Sequence, residues 1–318
     1  MTLVVAHHGH CFDGMASAAF LTRFLRQRAG GSLDLQTRGL DHQPGGSHVP
    51  EEVLAGEENA VVDFRYTTSP RLTWYFDHHV SGVGEDERAH LSADTSGQKH
   101  WDATYGSCCL LLRDVLRDRF GFETPELEEL VRWAQIIDTA DFADAETAVR
   151  LLAPPLRLMA VVDVYGDDAF LAPRIERLSR GVPLGEVAED HLVARRFRKI
   201  RREHEVALRL VESRARCEDG VVTFDLAGQS ERYNRFIAYY LFPESRYCVA
   251  VTQSPRRVKV SVGSNPWAKV PRTHDIAAMC ARFGGGGHPV VGAVSLGPGE
   301  LDRGREVAAA IVGALRSG

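Results

Sequence analysis

Trp74-Tyr75-Phe76-Asp77-His78-His79-Val80-Ser81-Gly82 decides how this chain is read. An apolar, aromatic run of this kind reads as the end of a buried strand, and it delivers a carboxylate and two imidazoles onto a loop closed by glycine. Successive residues of an extended chain point to opposite sides, so Asp77 and His79 face one way and His78 the other. One short segment can thereby serve two subsites. A His-His pair alone says little about metals, because metal sites are recognised by complete ligand sets. It gains weight because other apolar runs of the chain also end in acids or imidazoles, each with the form of an element feeding a cleft.

Towards the N-terminus, Thr2-Leu3-Val4-Val5-Ala6 is a β-branched strand followed by His7-His8-Gly9-His10-Cys11-Phe12-Asp13-Gly14 and a helical pattern from Met15 to about Arg28. Strand, loop and helix make the first half of a βαβ unit. Asp13 lies just ahead of that helix, where a capping role and a ligand role are both open. After a polar loop from His42 to Pro50, Asn59-Ala60-Val61-Val62-Asp63-Phe64 repeats the design of a short strand ending in an acid.

Beyond the opening stretch, Thr104, Gly106 and Ser107 lead into Cys108-Cys109-Leu110-Leu111-Leu112. This is a helix start whose free amides suit an anion. An amphipathic helix over Leu127 to Ile137 runs into Asp138-Thr139-Ala140-Asp141-Phe142. Acids at i and i+3 approach one another there, beside the negative end of the helix dipole, and a cation would compensate them. From Leu151 to Arg180 the pattern is helical, broken by Pro154-Pro155 and Gly181-Val182-Pro183. One long helix is then predicted from about Gly185 to Cys217, carrying Arg195, Arg196, Arg198, Lys199, Arg201 and Arg202. Charge runs on helices are usually solvated surface, so it reads as a linker rather than a nucleic-acid face.

From Gly220 the texture turns to strands: Val221 to Leu226, Tyr247 to Thr252 and Val258 to Val262, with a helix near Arg232 to Leu241. A helix over His274 to Phe283 then ends at Gly284-Gly285-Gly286-Gly287-His288-Pro289, ahead of a strand over Val290 to Leu296 and a last helix from about Glu306 to Leu315. Each glycine weakens regular structure by on the order of 1 kcal/mol and a helix cap needs only one, so four imply close backbone approach to a ligand.

Composition sets the frame. A chain of 318 residues is too long for one ordinary core, and 44% hydrophobic residues with a net charge of −5 describe a folded globular protein. No apolar run reaches the length of a membrane span and no signal pattern opens the chain, so no membrane partner and a cytoplasmic location are expected. The cysteines Cys11, Cys108, Cys109, Cys217, Cys248 and Cys280 have no zinc-type spacing and read as buried thiols of a reducing compartment.

Taken in order, His8 to Ser17, Val61-Val62-Asp63, Asp77-His78-His79, Thr139-Ala140-Asp141 and Phe283 to Pro289 resemble the five motifs of the DHH phosphoesterase family, in the branch that carries the DHH-associated C-terminal domain. The resemblance covers nearly the whole chain. It implies an α/β fold with an N-terminal parallel-sheet domain and flanking helices over 1–184, a linker helix over 185–219, and a smaller C-terminal α/β domain with a mixed sheet over 220–318. It also implies two divalent ions, usually manganese, in a cleft between the domains. Their ligands would be His8 or His7, Asp13, Asp63, Asp77, His78 and Asp141, with Asp77, His78 and His79 as the catalytic group. Arg282, Gly284, Gly285, Gly286, Gly287 and His288 would hold substrate. Two such ions about 4 Å apart activate a water and hold the attacking and leaving oxygens of a phosphoester.

The implied activity is hydrolysis of a small nucleotide or a short single-stranded oligonucleotide, and a homodimer is compatible with it. Single-strand exonuclease activity and a degenerate, non-catalytic nucleotide-binding protein are the alternatives. The family often carries an acid where this chain has Cys11. A thiol in that place either substitutes for the acid or packs under the loop while His7, His8 or His10 supplies the ligand; a neutral thiol buries at little cost, which favours packing.

Overall fold

The computed structural model describes residues 2–30, 33–41, 48–229 and 233–317. Most of the predicted loop from His42 to Pro50 lies outside them, as does the predicted helix start at Arg232. The chain divides into two compact units, one formed by Met1–Phe142 with Leu152–Phe197, the other by Ala143–Leu151 with Arg198–Gly318.

In chain order the first unit begins with β1 (Thr2–His8), α1 (Phe12–Arg28), β2 (Asp34–Leu40), β3 (Glu58–Val62) and β4 (Trp74–Asp77). It continues through α2 (Glu85–Ser92), β5 (Lys99–Trp101), α3 (Cys108–Phe120) and α4 (Glu128–Thr139). Next comes α5 (Ala145–Arg150), which belongs to the second unit, and then α6 (Pro154–Tyr165), α7 (Asp168–Ser179) and α8 (Leu184–Ala188). The boundary between the units falls within α9 (His191–Arg214).

The first unit is built on a wholly parallel sheet of order β2-β1-β3-β4-β5. Such sheets need cover on both faces, and the sequence supplies it. Trp74, Tyr75 and Phe76 are fully buried. Trp74 packs on one face against Phe24 of α1 and Phe120 of α3, at ring separations of 5.6 and 5.8 Å, and Tyr75 packs on the other against Tyr66 at 4.8 Å. The order reverses between β1 and β3, and the crevice beyond the carboxyl ends of strands at such a reversal is where open α/β sheets bind ligands. His8 ends β1, Asp63 follows β3 and His78 follows β4.

Two helical expectations are corrected here. The first helix starts at Phe12, not Met15, with Cys11 in the capping position, so Asp13 lies inside its first turn and does not cap it. The long helix starts at His191, not Gly185. Asp190 accepts a 2.8 Å hydrogen bond from the Leu192 amide and opens a new helix after the short α8.

The second unit continues with β6 (Arg216–Glu218), β7 (Val221–Asp225), α10 (Ile237–Leu241), β8 (Tyr247–Gln253), β9 (Val258–Ser264), α11 (Ile276–Ala281), β10 (Gly286–His288), β11 (Val291–Leu296) and α12 (Leu301–Arg316). Its sheet, of order β10-β11-β9-β8-β7-β6, is mixed, as expected, with β7 and β8 the parallel pair. Alternation sends Val249, Val251 and Val260 towards Ile276 of α11 and Ile311 of α12. Val222, Phe224 and Ala250 pack instead with Val211 of α9 and Ile237 of α10. No helix among the described residues is long and apolar enough to cross a membrane.

Candidate metal centre

Strand register assembles the centre. His7 pairs with Val62 and Val62 with Phe76, so the residues that follow them, His8, Asp63 and Asp77, line up in one row across three strand ends. Asp63 leaves β3 in the left-handed region, at φ 56°, a conformation that aspartate tolerates better than most residues. Its amide donates to the Phe76 carbonyl at 2.9 Å, which fixes the turn. Gly14 is required by close approach: a Cβ there would run into the His8 carbonyl, so only glycine lets α1 start against the end of β1.

Asp63 is 1% exposed, and neither of its carboxylate oxygens has a hydrogen-bond partner. One oxygen faces His8 Nδ1 at 3.5 Å and the other faces His78 Nε2 at 3.4 Å and His79 Nδ1 at 3.8 Å. His78 Nε2 also lies 3.4 Å from Asp138 and 3.8 Å from Asp13. Its other ring nitrogen, Nδ1, is 3.1 Å from the Tyr105 carbonyl. A carbonyl only accepts, so Nδ1 carries the proton, and in the neutral ring Nε2 is a lone pair aimed at three carboxylates. Either a proton or a metal ion on Nε2 must stand between that lone pair and the carboxylates.

The ligand-type atoms fall into groups that could each hold one ion: His8 with Cys11 and Asp63, Asp63 with His78 and His79, and Asp13 with His78 and Asp138. Asp63, its two oxygens turned to opposite sides, is shared by the first two groups, and His78 is shared by the last two. The electrostatics agree with this grouping. Burial works to raise Asp63, but His78, His8 and His79 outweigh it and hold the carboxyl below its usual range. Burial and then the Asp63 charge push Asp13 well up and raise Asp138. Burial would lower His78, yet Asp63, Asp13 and Asp138 raise it to about 9. The imidazoles hold Asp63 ionised while Asp13 and Asp138 stay raised, so the donor set fits divalent cations.

Several expected residues take other places. Asp77 is fully buried and lies outside the three groups. One of its oxygens accepts from the His78 amide at 2.9 Å and the His79 amide at 3.2 Å, and meets His79 Nδ1 at 2.7 Å; the other accepts from the Tyr75 hydroxyl at 3.2 Å. It therefore orients the His78-His79 loop; Asp77 does pair with His79, but His78 does not turn to the opposite side, since both imidazoles face one Asp63 oxygen with their rings 4.5 Å apart. Gly82 makes room for it, since a Cβ there would strike the Asp77 carboxylate.

His7 is also outside the groups: it is fully buried, and its Nδ1 bonds the His8 carbonyl at 3.0 Å. Asp138 and Asp141 are both exposed, but only Asp138 joins the groups. The reason is the end of α4. Ala140 turns left-handed at φ 55°, its amide bonds the Ile137 carbonyl at 3.2 Å and the Asp141 amide bonds the Ile136 carbonyl at 2.9 Å, a Schellman closure that leaves Asp138 on the last helical turn. The anion-holding start of α3 has an occupant within the chain: the Cys108 and Cys109 amides donate to Asp13 at 2.6 and 3.1 Å.

In the second unit, Gly286 and His288 form a short strand paired with β11, an element hidden by its lack of side chains. Two of the four glycines do serve packing. A Cβ on Gly285 would meet the Ala293 carbonyl and one on Gly287 the Val291 carbonyl, whereas Gly284 and Gly286 face open space. Gly286, Gly287 and His288 are exposed, as is Arg282.

No protein-family model matches the chain and no curated protein matches it. Solved structures do. A pGpG-specific phosphodiesterase, PggH, from Vibrio cholerae shares 16% identity at a TM-score of 0.68, over 98% of this chain and 99% of that one. The DHH domain of a member of the S1p family of ribosomal proteins matches at 14% identity and a TM-score of 0.57, over 99% and 87%. RecJ from Thermus thermophilus in complex with Mn2+ matches at 17% and 0.52, over 98% of this chain and 52% of that one. The chain thus has the two-domain fold of DHH-type structures.

Proposed function

We propose that this chain is a metal-dependent phosphoesterase of the DHH type that hydrolyses a linear dinucleotide or another short oligonucleotide. The observation that carries the reading is His78 Nε2, set among Asp13, Asp63 and Asp138 with its partner nitrogen on the Tyr105 carbonyl. On this reading residues 1–184 bind metal, 185–219 link, and 220–318 bind substrate. Asp13, Asp63, His78 and Asp138 hold one divalent ion, and His8 and Asp63 contribute to a second. Carboxylate and imidazole donors suit manganese in the first of these places. When bound, the ions supply a nucleophilic water and neutralise charge on the phosphoryl oxygens.

The protein's own groups do the rest. Asp77 fixes His79 through the 2.7 Å contact, and that bond, opposed by burial, raises the imidazole. His79 is half-buried and its protonated form is favoured by that bond, so it serves as the acid that protonates the leaving oxygen. Asp13 ties the start of α3 to the centre and keeps its orientation. Gly286, His288 and Arg282 offer an exposed amide and two side chains to a terminal phosphate or sugar.

A short substrate is supported by the whole-chain likeness to the pGpG phosphodiesterase, which spans both proteins almost end to end. A basic helix such as α9 would be the positive feature for a single-strand exonuclease. Its Lys199 and Arg201 pair within the helix with Glu203 and Glu205, at 3.9 and 3.4 Å, and Arg196 stacks over Tyr165 at 4.8 Å. A solvated helix accounts for these contacts. A non-catalytic nucleotide binder is disfavoured, because buried acids without a cation are costly. The test is release of mononucleotide from pGpG, short oligoribonucleotides and single-stranded DNA, with manganese and after chelation. Manganese-dependent cleavage confined to the short substrates is expected, and no cleavage of any of them overturns the reading.

A further inference from the structure

The two ends of Asp63 look onto unlike donor sets. On the side of His78 stand Asp13 and Asp138, oxygen donors beside the His78 and His79 imidazoles, and no sulfur. On the side of His8 stands Cys11, whose sulfur, with the His8 ring nitrogen and an Asp63 oxygen, forms a group with all three atoms within 4.8 Å of one another. Cys11 holds the extended capping position ahead of α1, at φ −122° and ψ 132°, and its side chain makes no capping bond. The Asp63 carboxylate in the same group is 1% exposed with neither oxygen hydrogen-bonded. A buried carboxylate that makes no hydrogen bond, with only imidazoles at 3.4 to 3.8 Å and a thiol in reach, is a donor set suited to an ion.

We infer that Cys11 is a metal ligand, and that the His8–Cys11–Asp63 subsite selects a thiophilic divalent ion of the zinc, cobalt or iron(II) type while the Asp13–His78–Asp138 subsite takes a hard ion such as manganese. This rests on the metal-dependent reading above and makes the centre heteronuclear. Thiolate and imidazole donors favour borderline-soft ions, whereas carboxylates favour hard ones, so one protein surface sorts two ions by ligand chemistry. Binding is an exchange of proton for metal: the S–H bond breaks, the S–metal bond forms, and the proton goes to solvent. Burial, and then the charges of Asp63 and Asp13, hold the free thiol protonated, so the ion itself must drive the exchange. A ligating Cys11 is the opposite of the packed, non-ligating thiol expected from the sequence, and metal titration separates the two.

Cobalt(II) titration of the full chain decides the matter, because a cobalt–thiolate bond has a near-ultraviolet charge-transfer band that oxygen and nitrogen donors lack. None of the other five cysteines lies in a ligand group among the described residues, so the band reports on Cys11. One equivalent should produce the band, and Cys11→Ser should abolish it and weaken zinc binding by on the order of 100-fold. Manganese binding at the other subsite should stay within about threefold of the parent, well inside the tenfold loss typical of a disturbed metal shell. Cys11→Asp should reverse the preference of the subsite from zinc to manganese. Cobalt binding without the band in the unmodified protein overturns the inference and leaves the metal-dependent reading standing. Failure to bind cobalt, zinc or manganese at all overturns both. The parent spectrum decides even if a variant does not fold.

Discussion

Asp63→Asn is the perturbation with the sharpest consequence. Asparagine accepts the left-handed φ of 56° at this position, so the change removes charge without adding backbone strain, which Asp63→Ala would not avoid. The charged His78 imidazole, 3.4 Å from the carboxylate, interacts with it by about 5 kcal/mol gross at an effective dielectric of about 20. In the metal-free protein that loss is offset by relief of repulsion with Asp13 and Asp138, both of which the Asp63 charge pushes up. Metal-free stability should therefore change by no more than about 2 kcal/mol, well short of unfolding. Ion binding should suffer far more, because both subsites lose the same charged ligand. An ion present at about 100 times its Kd stabilises the fold by about 2.7 kcal/mol, or roughly 5–10 °C for a unit of this size. That increment should vanish in the variant, and kcat should fall by on the order of 10³ or more. The assay is thermal unfolding with and without manganese, paired with turnover of a dinucleotide. A variant that keeps both the manganese-induced rise in Tm and wild-type turnover refutes the reasoning.

Three further outcomes follow from the geometry. Asp138→Asn should lower manganese affinity by on the order of 100-fold while Asp141→Asn leaves it within about threefold; titration calorimetry of the pair contradicts the placement if the order is reversed. Gly286→Val should raise KM strongly with metal affinity and Tm unchanged, because its Cβ enters open space, whereas Gly287→Val, at φ 148° and against the Val291 carbonyl, should unfold the hairpin. Bound metal lost from Gly286→Val would count against the proposed separation of roles. In chelated protein, His78 raised to about 9 contributes stability below pH 6.5 that is lost as pH rises through 9, on the order of 3 kcal/mol. Asp13 and Asp138, also raised, act in the same direction, while Asp63, lowered, contributes above its unfolded value and loses that only in acid. A Tm that is flat between pH 6.5 and 9.5 in chelator contradicts this arrangement.

The strand ends were legible because their chemistry is written in short runs. Val61-Val62-Asp63 and Phe76-Asp77-His78 each show an apolar stretch stopping at ligand-type residues, and parallel register then brings them together. What stayed hidden depends on turns without a sequence signature. The choice of Asp138 over Asp141 is made by Ala140 at φ 55°, a place where glycine would have signalled the helix end. The role of Asp77 follows from its burial and its bonds to His79, and nothing in the order Asp-His-His separates a ligand from the residue that orients one. Cys11 in the capping position is not a recognised start signal, so the first helix looked shorter and Asp13 looked like its cap. The strand over Gly286–His288 escaped notice because glycine carries no β-propensity.

The central claim is that the two oxygens of Asp63 face two ion sites, and anomalous scattering at the manganese and zinc edges, from crystals grown with both ions, tests it most directly. The account predicts a manganese peak among Asp13, Asp63, His78 and Asp138 and a zinc peak among His8, Cys11 and Asp63. An ordered ion held by Asp141 with Asp138 turned away, or no peak on either side of Asp63, would contradict it.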